Sequence, residues 1–147
     1  SMTRRGSNPS DSRRYLDWIN ASYDDYRAAQ LLSTDPTLHN ATAFHCQQCI
    51  EKALKSFILA RSRQTVDGHN LTWLCRRAAS IDAHFQQWMD ESAALNRYYI
   101  ETRYPTDIPT QISDEELSRI LAMTEELFFY LSDALDVTGI LDYLEAY

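Results

Sequence analysis

The chain predicts an all-α fold, an up-and-down bundle of four to five long helices plus a short C-terminal helix. Three observations carry that expectation. Only three glycines and four prolines punctuate 147 residues, and the stretches between them are rich in Ala, Leu, Gln, Glu, Lys and Arg, which lose little freedom in a helix. Apolar residues recur every three or four positions, the period of a helix face. No run alternates apolar and polar residues as a half-buried strand would.

The first helix is predicted from Asp11 or Ser12 to about Ser33, with Tyr15, Trp18, Ile19, Ser22, Tyr26, Ala29 and Leu32 along one face. Asp35-Pro36 ends it, because the residue before a proline disfavours the helical conformation. Asn40 is a suitable cap for a second helix to about Arg61, whose stripe is Ala43, Cys46, Ile50, Ala53, Leu54 and Phe57. Its other flank carries His45, Gln48, Lys52 and Lys55. Gly68 breaks the chain, and Asn70 can cap a third helix through about Ser80. A fourth is expected from about Asp82 to Thr102, with Phe85, Trp88, Met89, Ala93 and Leu95 as apolar contacts and Tyr104-Pro105 as its stop. Ser113 to Glu116 has the form of a capping box, which opens a fifth helix to about Asp136. Gly139 separates a short last helix, residues 140–145.

Length allows one domain with one sizeable core. Residues 1–11 are expected to form a disordered arm, and residues 12–147 a single helical domain. Ser1 ahead of Met2 reads as the scar of a cleaved tag, so the natural chain is expected to start at Met2. The basic residues of the arm have no apolar run behind them, so no secretory signal is read there, and no window is apolar enough to span a membrane. Three cysteines make an odd number without a small-domain framework, which points to a reducing, cytoplasmic setting.

Charge is unevenly spread beneath the net value of −7. Residues 1–14 carry a net +3, and the chain from Glu101 onward a net −9. An acidic half of that size repels a phosphate backbone, which argues against duplex DNA as a partner. Contact with a nucleotide or RNA has to be local and use a few focused cations.

One corner concentrates such groups. Leu95 to Asp107, LNRYYIETRYPTD, holds two arginines, three tyrosines and the helix-stopping proline. Arg97 and Arg103 can fork onto a phosphate, while Tyr98 and Tyr104 can offer a ring face to a base. Asn96, Tyr99 and Arg103 share one helix face, and Arg97 shares another with Glu101. The alternative is that Tyr98 and Tyr99 are core or interface aromatics and that Arg97 pairs with Glu101 or Glu51. Lys52 and Lys55 can add positive potential, although Glu51 with Lys55 also reads as an ordinary helix-surface pair worth about 0.3 to 0.5 kcal/mol.

Metal ligation finds little support in the pattern. His45, Cys46 and Cys49 lie close on one helix, but Cys75, His69 and His84 offer no paired spacing to complete a zinc site. No metal and no resident cofactor are therefore expected. His69, after Gly68, reads as a residue that helps to start the third helix.

Three blocks carry a family resemblance. AFHCQQCIEKALKSFI from Ala43, GHNLTWL from Gly68 and LNRYYIETRYPTD from Leu95 together resemble the HEPN domain family, over roughly Tyr15 to Leu135. The resemblance implies a bundle of four or five helices, often a homodimer, and sometimes an associated nucleotidyltransferase in a toxin-antitoxin-type system. Members include metal-independent endoribonucleases and non-catalytic relatives that bind nucleotides or partner proteins. The catalytic branch places a histidine four to six residues after an arginine on the helix that here holds Arg97. There an imidazole moves a proton and a guanidinium holds the phosphate. In this chain Arg103 stands where the histidine is expected, and an arginine stays protonated at neutral pH. Arg77 and His84 have a similar spacing, but it falls across a predicted helix break, outside the matching block.

The expectation is thus a non-catalytic module that binds a nucleotide or a partner protein. The candidate contacts are Arg97, Arg103, Tyr104, Asn96, Tyr98, Lys52 and Lys55, with no catalytic residue assigned. The alternatives are a metal-independent endoribonuclease, in which a tyrosine, His45 or His69 stands in as base, and a purely structural subunit of a heteromer.

Overall fold

Helix α2, His39–Ser62, is the axis on which the other helices assemble. Its middle is buried nearly all round, from Cys46 to Leu59 with only Gln48 and Lys52 partly open, so it needs neighbours on several sides. The structure, a computed structural model, describes residues 14–100 and 111–137. The expected N-terminal arm and last short helix lie outside the described residues, as do Arg103 and Tyr104.

Helix α1, Tyr15–Leu32, packs antiparallel on α2. The direction follows from paired positions: Ser56 donates to the carbonyl of Tyr15, and Ser22 to the carbonyl of Cys49. Helix α3, Leu71–Ile81, is capped by Asn70, whose side chain accepts from the Trp73 amide at 3.1 Å. The long helix at the C-terminal side, Asp114–Ala134, is capped by Ser113, whose Oγ accepts from the Glu116 amide at 3.1 Å. We number it α6. It runs parallel to α2: His39 meets Asp114 at the two beginnings, and Arg61 donates to the carbonyl of Ala134 at the two ends.

The fourth expected helix is broken into three pieces. A 3-10 segment spans Ala83–Trp88, then α4 runs Met89–Leu95 and α5 runs Arg97–Ile100. Two side chains anchor these pieces to their neighbours. Asp82 is extended at φ −140°, and its carboxylate accepts from both the His84 amide and the Tyr130 hydroxyl. The tight 3-10 turn then lines up residues three apart, which puts both Phe85 and Trp88 into the core. At the second break, Asn96 turns its side chain onto α3. Its Oδ1 accepts from the Leu71 amide at 2.5 Å, and its Nδ2 donates to Thr72 and Asn70.

The core runs through Ile50, Leu54 and Phe57 of α2, meeting Leu127, Phe128 and Leu131 of α6. Tyr26 stacks on Phe128 with centroids 5.2 Å apart, and Phe57 meets Phe85 at 4.7 Å. All three cysteines are buried in this core, and burial pushes the Cys46 thiol up to about 12 and those of Cys49 and Cys75 upward as well. They act as small apolar residues. Among the described residues there is no strand, and no helix is long and apolar enough to cross a membrane.

Candidate functional site

A carboxylate on α2 organises the polar corner where α2, α3 and α5 meet. Glu51 is only 4% exposed, and three side chains donate to it. Gln47, one turn earlier, reaches Oε1 at 3.1 Å, while Lys55, one turn later, reaches Oε2 at 3.1 Å. The third donor is His69, whose Nδ1 lies 2.9 Å from the same Oε2. Gly68 makes this possible: its φ of +94° is a left-handed turn that side chains disfavour, and it delivers the next residue onto α2 just before Asn70 caps α3.

His69 is held on two sides. A carboxylate facing Nδ1 assigns the proton to that nitrogen. Tyr99 of α5 covers one ring face, with centroids 4.0 Å apart and planes 15° from parallel. The Tyr99 hydroxyl lies 3.0 Å from Nε2, but nearly parallel rings aim the in-plane lone pair away from it, so the contact is chiefly stacking. With one edge on Glu51 and one face on Tyr99, the side chain is still 48% exposed.

Lys55 is not on a solvated flank, as its spacing from Glu51 suggested. It is buried, and its ammonium lies 5.3 Å over the Trp18 ring while pairing with Glu51. The surface-pair reading fails because α1 and the segment bearing His69 cover this stretch of α2. Lys52 is also committed: it donates at 2.7 Å to Asp25 of α1, a buried carboxylate that His45 approaches at 2.8 Å. Neither lysine adds an uncompensated charge to the corner.

Two more of the expected contacts serve the fold. Tyr98 is a core residue, 1% exposed, whose hydroxyl donates to Glu116 at 2.8 Å, so its ring face is closed to a ligand. The Asn96 side chain is spent on the start of α3. Arg97 is exposed, its guanidinium 5.2 Å from the Tyr98 ring centre. Because Arg97 and Tyr99 are two positions apart on a helix, they leave it on roughly opposite sides. Arg103 and Tyr104 lie outside the described residues.

The group that does come together, Glu51, His69 and Tyr99, escaped the sequence reading. Helix initiation, assigned there to His69, is the work of Asn70. The signal present was Gly-His-Asn ahead of a helix, which marks a histidine on a turn with its side chain at a helix junction. The other histidines are occupied elsewhere: His39 at Asp114, His45 at Asp25, and His84 stacked on Tyr130 at 4.2 Å. Arg77 donates to Gln64. Among the described residues, no group of three or more His, Cys, Asp or Glu is placed to hold a metal ion.

Comparison with known proteins adds two findings. The family model described as HEPN domain matches residues 15–133. The crystal structure of TT1696 from Thermus thermophilus superposes with a TM-score of 0.67 at 25% identity, over 83% of this chain and 98% of that one. No curated protein sequence matches the chain.

Proposed function

This chain belongs to the HEPN domain family, and from that premise we propose that it is a non-catalytic module that binds a nucleotide at the α2–α3–α5 corner. One observation carries the reading: the His69 ring is fixed by Glu51, backed by Tyr99 and still about half exposed. Such a platform takes a base by stacking, worth about 1 to 3 kcal/mol and tolerant of which base it is. Pre-set orientation lowers the ordering cost of that contact.

The site lacks the histidine that would follow Arg97 in the nuclease branch, and Arg103 cannot replace it as a base. The test is titration with ATP and with a short single-stranded RNA, for the parent and for His69→Ala and His69→Phe. Stacking predicts binding that His69→Ala weakens by about tenfold or more and that His69→Phe largely keeps.

A second reading is favoured by the Glu51–His69 contact. A carboxylate on Nδ1 leaves Nε2 as the basic nitrogen, which is how a general base is oriented. In that case the protein is a metal-independent endoribonuclease, and RNA cleavage in chelator is lost in both His69→Ala and His69→Phe. The phenylalanine variant separates the two readings, because a benzene ring stacks but carries no proton.

A further inference from the structure

Helix α3 buries Leu71, Leu74, Cys75 and Ala78 and turns Trp73 and Arg76 outward. Trp73 is 44% exposed, whereas Trp18 and Trp88 are buried. A single exposed apolar residue is ordinary on a protein surface, and what marks this one is its company. Arg76 and Arg77 follow three and four positions later, so both neighbour Trp73 on the helix surface. Helical side chains lean toward the helix start, which here is toward the indole. Gln64 accepts from the Arg77 guanidinium at 3.2 Å, and this ties the segment after α2, with its exposed Arg63, to the same helix.

We propose that this face of α3 binds single-stranded nucleic acid, RNA or DNA, with Trp73 stacking on an unpaired base and Arg76 and Arg77 holding the flanking phosphates. Charge supports that occupant. Residues 61–80 hold four arginines against one aspartate, in a chain whose net charge is −7. Among the described residues no carboxylate pairs with Arg76 or Arg77, so their charge is not spent inside the fold. Beside Arg76 lies a shallow hollow of about 540 Å³, lined also by Ala79, Ser80, Gln86 and Met89, which carry no charge and leave room for a sugar and phosphate. An indole accepts any base on its face, and a guanidinium forks onto phosphate oxygens, so the pair of groups holds a single strand without reading its sequence.

Other occupants are separable from this one. A duplex keeps its bases stacked and offers none to Trp73, and the acidic remainder of the chain repels its second backbone. An acidic peptide would meet the same arginines, but ion pairing does not require an aromatic ring at position 73, whereas stacking does. The proposal goes beyond the nucleotide reading of the His69 corner, uses none of the residues of that corner and is tested apart from it.

The test titrates short oligouridylate and oligothymidylate into the full chain while tryptophan emission is read. With Trp18 and Trp88 buried, quenching reports Trp73. Both strands are expected to quench and to bind more weakly as salt is added. Affinity, read from the anisotropy of labelled strands, is expected to fall about tenfold or more in Trp73→Ala and to be largely kept in Trp73→Phe. An Arg76→Ala, Arg77→Ala double variant is expected to bind more weakly and with a shallower salt dependence, because phosphate contacts are lost. Trp73 and Arg76 are exposed and Arg77 is partly so, and circular dichroism checks that each variant folds. The proposal is overturned if neither strand binds, or if Trp73→Ala binds as tightly as the parent. It is also overturned if a glutamate-rich peptide displaces the strands and binds Trp73→Ala unchanged, which would assign the face to an acidic protein. ATP titration reads the His69 corner separately: failure there with strand binding intact sinks the nucleotide reading and leaves this one standing.

Discussion

Nδ1 of His69 lies 2.9 Å from Oε2 of Glu51, so a half-exposed imidazole on a turn is held by a carboxylate that is itself buried on α2. The same oxygen takes the Lys55 ammonium, and the pair is shielded from water by Trp18 and α1. Removing one member of a buried pair leaves the other charge stranded, which costs far more than the pair contributes. Glu51→Ala is expected to lose about 3 to 5 kcal/mol in urea unfolding. A Glu51→Leu, Lys55→Met double variant, which removes both charges and keeps the volume, is expected to lose clearly less. Equal losses in the two proteins would show that the cost is packing and not charge.

Asn96 joins α5 to the beginning of α3. Its Oδ1 takes the Leu71 amide, one of the donors that a helix start leaves without a partner. Asn96→Ala is expected to cost about 1 kcal/mol, the usual scale of a lost cap. Hydrogen exchange checks the location: faster exchange should appear at Leu71 and spare α6. Uniform acceleration across both helices would contradict the assignment.

The Tyr130–Asp82 hydrogen bond gives a pH signature. The Tyr130 hydroxyl, helped by the His84 amide, holds the Asp82 carboxyl below its usual value of 3.8, and the same bond raises Tyr130 to about 12 from 10.0. Asp82 therefore contributes stability that is complete above its unfolded pKa and is lost as pH falls below it. For Tyr130 the contribution is complete below pH 10.0 and is lost as pH rises towards 12. The melting-temperature difference between the parent and Tyr130→Phe should be flat between these limits and shrink beyond both. A difference that does not change with pH would exclude this bond as its source.

The Cys46-to-Cys49 motif is expected to be chemically silent. Burial holds both thiols protonated, and only the thiolate reacts at useful rates. Titration with a thiol reagent should give no fast phase in the native protein, and three equivalents after unfolding. A fast native phase would place one of the thiols within reach of solvent.

Helix positions were legible because they follow from local rules. The α2 stripe from Ala43 to Phe57 is buried as its spacing predicts, and Asn70 and Ser113 cap where their side chains indicate. The break in the fourth helix was not legible, since Asp82 meets Tyr130 across 48 positions and Asn96 meets Leu71 across 25. Spacing likewise could not show which of two adjacent tyrosines points inward. Tyr98 goes into the core and Tyr99 onto His69, an outcome set by what α5 packs against. Glu51 with Lys55 has the form of a surface pair on any isolated helix. What sets it apart here is His69, which packs on it from a turn.

Calorimetric titration of ATP into the parent, His69→Ala and His69→Phe proteins asks whether the His69 ring is a stacking platform. Binding by the parent is expected, with a loss of about tenfold or more in His69→Ala and near-parent affinity in His69→Phe. No binding by the parent, or equal affinity in all three, would mean that no base stacks on this ring.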